Sequence, residues 1–392
     1  MDDNRENLLA EPLERFASLH ATTMRGSRAV IDLSYPNPRV ARDTRAFELL
    51  GNLLAHSSQE DLQYTPFGGG TIARRKIASA LSRRFGLRLG FSGITLTPGA
   101  TAALNIAFAA LFRPGDEVLV VTPCWMDYHL YLLRLGLNTV EVPSGPDKRL
   151  DLDALAAALG PNTAGVVISQ PACPTGVLHG PSELAALAGV LEKASANFGR
   201  RAILVSDEVH RDQVWDGSTL VSPMQVYTDT VSVYSFGKAW SLQGQRTGYL
   251  ALGPALSKRD ELIVRVDRLV RSMGFCAPTA LMQRLVLEIV DLEPDSGPLR
   301  QDQFQMRALL ENLGYQAVPA QATGFVYIHC PPGSDDWGFV DRLARHGILA
   351  MPSALFHEDG YFRLALNVAA EEFDEIGRRL RAALPVMYDG RG

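Results

Sequence analysis

The chain has 392 residues, 46% of them hydrophobic, and a formal net charge of -5. That length holds one large core and a smaller one, because domains usually run ~50 to 250 residues, so two domains are expected. An acidic balance with no block of Lys and Arg argues against a nucleic-acid partner, whose binding rests on clustered cations.

From the N-terminus, MDDNRENLLAEPLERF is acidic and polar and has neither the charged nor the apolar region of a secretory signal. Apolar runs such as VLVV at 118–121 are too short to cross a bilayer. A cytoplasmic protein without a membrane partner is therefore expected. The first clear helix of the large domain is GGTIARRKIASALSRRFG, near residue 69. ITLT (94–97) then precedes a helix-like ATAALNIAFAALF, followed by EVLVVTP, the patterned YHLYLLRLG, AGVVISQ, the helix SELAALAGVLEKAS, AILVSDEV, TVSVYS and GYLALG. Continuous apolar strands separated by helices are buried on both faces, which predicts an α/β fold with a mainly parallel sheet flanked by helices. After about residue 255 come two helical tracts, LIVRVDRLVRSM and LMQRLVLEIVDL, parted at GFCAPT. Beyond them, helices QFQMRALLENLG, DDWGFVDRLARHG and EEFDEIGRRLRAALP are mixed with strands FVYIH, ILAMP and YFRLALN. This mixture predicts a second, smaller α+β domain. The expected division is residues 51–290 for the large domain and 291–392 for the small one, with 1–50 packing on the small one.

Ligands of open α/β sheets sit beyond the carboxyl ends of the strands, and the residues there form a set. PGAT (98–101) opens a helix whose free N–H groups suit a phosphate. TPCWMDY sets Trp125 at a strand exit, and PACPTG (171–176) is a loop held extended by two prolines. DEVHRD begins with Asp207 at the end of an apolar strand, where a carboxylate is costly unless it meets a cation. TVSVYSFGK then delivers Lys238 into a turn of small residues, with Arg246 eight positions on. Cys124, Cys173, Cys276 and Cys330 are widely spaced and form no C-x-x-C pair, which points to buried thiols rather than a disulfide framework or a zinc knuckle. The eight histidines show no metal-ligand spacing, so no metal is expected, and His129 and His179 read as plain surface or helix residues.

From YTPFGGGTIARRKIA to FRLALN, the ordered set of motifs resembles the fold-type I pyridoxal-phosphate enzymes of the class I/II aminotransferase superfamily. The resemblance implies a seven-stranded-type sheet and pyridoxal 5'-phosphate as cofactor. Lys238, in a segment similar to the family's S-x-S-K-x-x-x-x-x-G-x-R, would form an imine with the cofactor aldehyde and later move the Cα proton of an L-amino acid. Ser235 and Arg246 would hold the phosphate together with the backbone around Ala100 and with Thr101. Asp207 would pair with the pyridinium nitrogen, and Trp125 would stack on the ring. Arg363, in YFRLALN, would grip the substrate carboxylate bidentately. Tyr64, in YTPFGG, resembles the tyrosine that reaches the phosphate held by the other subunit, which implies a homodimer with the active site at its interface.

Several positions depart from the family pattern. Cys173 stands where N-P-T-G has asparagine, and His210 stands three residues after Asp207, where tyrosine is usual. Both positions normally hydrogen-bond the cofactor's phenolic oxygen. A neutral imidazole can donate there, yet it can also titrate near neutrality. Gly237 replaces the second serine of S-x-S-K. Tyr35, in YPNPRV (35–40), would narrow the substrate entrance. DEVH is similar to a segment of the aminotransferase-fold carbon-sulfur lyases. These departures put β- or γ-elimination or replacement ahead of ordinary transamination to a keto acid. A cofactor-sensing regulator domain is a third reading, but it would need a DNA-binding helix-turn-helix, and the 30 residues ahead of IDLSYPNP are acidic.

Overall fold

A computed structural model of the protein describes residues 3–26, 29–37, 43–215, 217–366 and 368–385. Positions 38–40 of YPNPRV and Asn367 of YFRLALN lie outside these described residues. In chain order the strands are β1 (Ile31–Asp32), β2 (Ile94–Thr97), β3 (Glu117–Thr122), β4 (Asn138–Pro143), β5 (Thr163–Ser169) and β6 (Ile203–Asp207). They continue with β7 (Thr230–Ser235), β8 (Gly248–Leu252), β9 (Phe325–His329), β10 (Ile348–Leu349), β11 (Met351–Pro352) and β12 (Tyr361–Ala365).

Seven strands form one sheet in the order β2-β8-β7-β6-β5-β3-β4. The pairs from β7 across to β4 are parallel, and β8 runs antiparallel to both β7 and β2. The expected mainly parallel sheet is thus observed, and its burial pattern is the reason it could be read. On β3, Val118 and Val120 enter one hydrophobic cluster with Val167, Val205 and Phe108, while Leu119 enters another with Val166, Ile168 and Leu204. Successive side chains point to opposite faces, and here both faces are covered by helices. Each Val, Leu or Ile so buried contributes about 1.5–3 kcal/mol.

The direction of the strands positions the site. β3, β5, β6 and β7 all end on the same edge, and two reversals return β2 to that direction. Thr97, Thr122, Ser169, Asp207 and Ser235 therefore lie along a single rim, and β8 starts there, with Ser235 and Thr97 both paired to Gly248. The helix Ala100–Leu111 leaves this rim after Gly99, whose φ of 83° lies in the left-handed region that glycine tolerates.

The C-terminal part is built on the antiparallel sheet β11-β12-β9, covered by helices Gly297–Asn312, Asp336–Arg345 and Phe373–Ala383. Phe362 and Leu364 of β12 point into a core with Val326, Ile328, Phe339 and Leu343. Arg363, between them, points the other way. The N-terminal segment joins this part: β1 pairs in parallel with β10, and Ile31 and Leu33 share its core. The helix Arg45–Ala55 packs instead on the helix Ala280–Ile289. Among the described residues no helix is long and apolar enough to cross a membrane.

Two cysteine expectations hold and two do not. Cys124 and Cys173 are buried, Cys330 is half-buried and Cys276 is exposed. His129 and His179 are not surface residues, being 5% and 4% exposed.

Candidate active site

A cleft of about 150 Å3 opens on the rim. Of the residues expected at the site, it gathers Ala100, Thr101, Trp125, Cys173, Asp207, His210, Ser235, Lys238 and Arg246, and Phe325 joins them. Strand ends deliver Asp207 and Ser235, and Lys238 follows three residues after β7. Arg246, with a φ of 49°, lies two residues before β8 and brings its guanidinium against Gly99. A Cβ on Gly99 would come within 2.7 Å of Arg246 Nη2, so only glycine lets the guanidinium lie over the helix N-terminus. The first N–H groups of that helix, the Arg246 guanidinium and the Ser235 hydroxyl together make a cradle for a dianionic phosphate.

At the other end of the cleft, Asp207 is buried and accepts two hydrogen bonds, from the Tyr128 hydroxyl at 2.6 Å and from the Val209 backbone N–H at 3.2 Å. Burial pushes its carboxyl up to about 6, against the opposing pull of Tyr128. A buried carboxylate with neutral donors and no ion pair is matched to a cationic heterocycle nitrogen. Burial, reinforced by the nearby Arg363 and Arg246, brings the Lys238 ammonium down to about 8, although Cys173 and Asp207 favour its charged form. A lysine in that range has a large neutral fraction near physiological pH, which nucleophilic amine chemistry requires. These groups fit pyridoxal phosphate at both its phosphate and its ring nitrogen.

His210 differs from its expected behaviour. Its Nδ1 lies 2.8 Å from Gln213 Oε1, while Gln213 Nε2 donates to the Lys238 carbonyl at 3.1 Å. That second bond fixes the amide orientation, so Oε1 accepts from Nδ1–H and Nε2 carries the lone pair. The imidazole is an acceptor at Nε2, not the donor to a phenolate that sequence reading allowed. Burial, with Lys238 adding to it, lowers its pKa to about 3, so it stays neutral near pH 7 rather than titrating there. Burial also raises the Cys173 thiol above its usual range.

Arg363 is fully buried next to the cleft. Its Nη2 donates to the Ser34 carbonyl at 2.8 Å, and its guanidinium lies 4.1 Å from the Phe325 ring centre and 4.8 Å from that of Phe356. Nε and Nη1 have no hydrogen-bonding partner. A carboxylate reaching either one would satisfy a buried donor and meet the guanidinium charge. Burial brings its pKa down to about 10, which leaves it charged at neutral pH. Tyr35 is 38% exposed and packs edge-on against Phe16 and His20. Tyr64 is not brought to the cleft. It is fully exposed, in a separate open groove with Leu62, Phe67 and Cys276.

Sequence reading missed Tyr128 and Phe325. Tyr128 starts the short helix Tyr128–Arg134, and Phe325 starts β9 and meets His210 edge-on at 5.2 Å. Both look like ordinary core aromatics in sequence, and the only signal for Tyr128 was its place three residues after Trp125.

Residues 29–380 match the family model for aminotransferase class I and II. The valine–pyruvate aminotransferase of Mycobacterium tuberculosis is 29% identical over 326 residues, 80% of this chain and 81% of that protein. A probable N-succinyldiaminopimelate aminotransferase of the same species is 30% identical over 309 residues, 75% of each chain. Among solved structures, an aspartate aminotransferase double mutant from Thermus thermophilus superposes with a TM-score of 0.84 at 25% identity, over 94% of this chain and 96% of that one. An aminotransferase from Eubacterium rectale shares the fold with a TM-score of 0.87 at 23% identity, over 98% of both chains.

These relatives overturn the order of reactions expected from the sequence. They are named as aminotransferases, so elimination or replacement does not stand ahead of transamination. The chain belongs to the class I and II aminotransferase family, and it is a pyridoxal-phosphate-dependent transferase.

Proposed function

We propose that this protein is a homodimeric aminotransferase that takes the amino group of an L-amino acid and releases the corresponding 2-keto acid. The observation that carries this reading is the pairing, in one cleft, of Lys238 with its lowered pKa and the buried carboxylate of Asp207. Pyridoxal phosphate, when bound, supplies an aldehyde that condenses with amines and a ring that withdraws electrons from the substrate Cα.

The remaining work falls to side chains. Ser235, Arg246, Thr101 and the N–H groups from Ala100 onward would hold the phosphate. Asp207, oriented by Tyr128, would keep the ring nitrogen protonated, and Trp125 would cover the ring face. Lys238 would take the proton from the substrate Cα and return it on the cofactor side. A base is most effective when its pKa lies near the working pH, and about 8 meets that condition. Arg363 would fix the substrate carboxylate through the donors it leaves unpaired. Cys173 and His210 would lie beside the phenolic oxygen, and Tyr35 would line the entrance.

The exposed Tyr64, in one groove with the exposed Leu62 and Phe67, supports the dimer, because such apolar surface is covered in most folded proteins. In that reading Tyr64 reaches the phosphate bound by the other subunit. We take residues 51–290 as the cofactor-binding domain and 291–392 as the small domain, with the segment 1–50 on the latter up to the helix Arg45–Ala55. A cytoplasmic location fits this chemistry. The test is turnover of a panel of L-amino acids with a 2-keto acid acceptor, with both the new amino acid and the new keto acid measured. Formation of both in equal amounts is expected, whereas ammonia with no new amino acid would refute the reading.

A further inference from the structure

Behind the active-site tryptophan, three side chains remote in sequence meet. Cys124 follows β3, His129 lies on the helix Tyr128–Arg134, and His357 follows the turn Ser353–Phe356 between β11 and β12. One ligand atom from each lies within 4.8 Å of the others. The two imidazoles stack with ring centres 3.6 Å apart and planes 19° from parallel. Glu141 of β4 sets Oε1 at 2.9 Å from His129 Nε2 and 3.0 Å from His357 Nδ1.

The first of those contacts is off the hydrogen-bonding direction, so neither nitrogen of His129, 5% exposed, has a hydrogen-bond partner. A buried imidazole with both nitrogens unsatisfied is costly in a folded protein. Stacked imidazoles cannot both be cations at this separation without strong repulsion, so a single positive charge is the most that the pair holds cheaply. A divalent ion with one thiolate and one carboxylate would be charge-neutral there, and it would satisfy the orphaned nitrogen.

We propose that Cys124, His129 and His357, with Glu141 as the carboxylate, form a binding site for a zinc-class divalent ion that clasps the turn at 353–358 onto the seven-stranded sheet. Thiolate, imidazole and carboxylate together are a ligand set for zinc. Glu141 has a side chain 46% exposed and can turn to take the fourth position. The backbone already joins the two sides at this point, because the Cys124 N–H donates to the Phe356 carbonyl at 3.0 Å. Lys148 and Glu358 pair on the same seam. A thiol binds such an ion as the thiolate, so binding displaces a proton to solvent. Sequence spacing hid the site because its ligands come from opposite ends of the fold, and the expected absence of a metal rested on that spacing alone.

The experiment is zinc loading of the cofactor-bound protein, followed by chelator competition and zinc-edge absorption spectroscopy. About one zinc per subunit is expected, with one sulfur near ~2.3 Å and imidazole nitrogens near ~2.0–2.1 Å in its shell. Cys124→Ser and His357→Gln should each weaken zinc binding by about 100-fold or more while the protein keeps its yellow colour. A zinc shell without sulfur, or His357→Gln binding zinc as the wild type does, would mean an adventitious ion only and would overturn the proposal. If the variants do not fold, the wild-type sulfur shell decides the question alone.

Discussion

The Tyr128 hydroxyl donates to Oδ2 of Asp207 across 2.6 Å, with both groups buried. This bond favours the charged carboxylate against a burial cost that pushes its pKa up to about 6. Tyr128→Phe removes the donor and leaves the ring packing in place. A hydrogen bond to a charged group is worth about 1.5–3 kcal/mol, so kcat/KM should fall about 10- to 100-fold, with weaker cofactor retention. Wild-type kcat/KM in Tyr128→Phe would show that Asp207 does not depend on this bond.

Arg363→Lys keeps the charge and loses the fork. Because Nε and Nη1 are the donors left unpaired for a carboxylate, the substitution should raise KM for both the amino acid and the keto acid by about 10-fold or more. The absorbance of the resting enzyme should change little. An unchanged KM would assign Arg363 to packing against Phe325 and Phe356.

Gly99→Ala places a methyl group 2.7 Å from Arg246 Nη2 at a backbone φ of 83°. Strain at such a position costs about 1–3 kcal/mol, and the displaced guanidinium should weaken pyridoxal phosphate binding about 10-fold or more. Equilibrium dialysis of the cofactor against wild type and variant checks this. Equal affinity would mean that Arg246 does not reach the phosphate.

How much of this could be read in advance follows from where each residue sits. Strands buried on both faces gave away the parallel sheet, and the residues at their ends gave away Lys238, Asp207, Ser235 and Arg246. β4 (NTVEVP) escaped notice because it is an edge strand with mostly part-exposed or exposed side chains, and so carries no apolar run. Tyr128 and Phe325 were hidden because an aromatic in an apolar stretch is indistinguishable from core until its partner is known. The cluster of Cys124, His129 and His357 depends on a contact between two distant segments, which no local spacing records. His210 was visible, but its tautomer depends on Gln213 and the Lys238 carbonyl, which only the fold brings together.

His210 also carries a pH prediction. Its folded pKa of about 3 lies below the usual 6.5, so the unfolded chain binds a proton before the folded one does as pH falls. Its neutral burial is therefore without cost above about pH 6.5, and it subtracts stability progressively as pH drops toward 3. His210→Phe should flatten the loss of thermal stability between about pH 6 and 4, as followed by melting temperature. An identical acid profile in the variant would show that His210 is protonated in the folded protein.

The central claim is that Lys238 is the amine that holds the cofactor in front of Asp207. Borohydride reduction of the yellow protein, followed by digestion and peptide mass analysis, tests it directly. The pyridoxyl adduct is expected on Lys238 alone among the five lysines of the chain, with Lys238→Ala taking up no adduct. An adduct on Lys76, Lys148, Lys193 or Lys258, or full labelling of Lys238→Ala, would contradict the account.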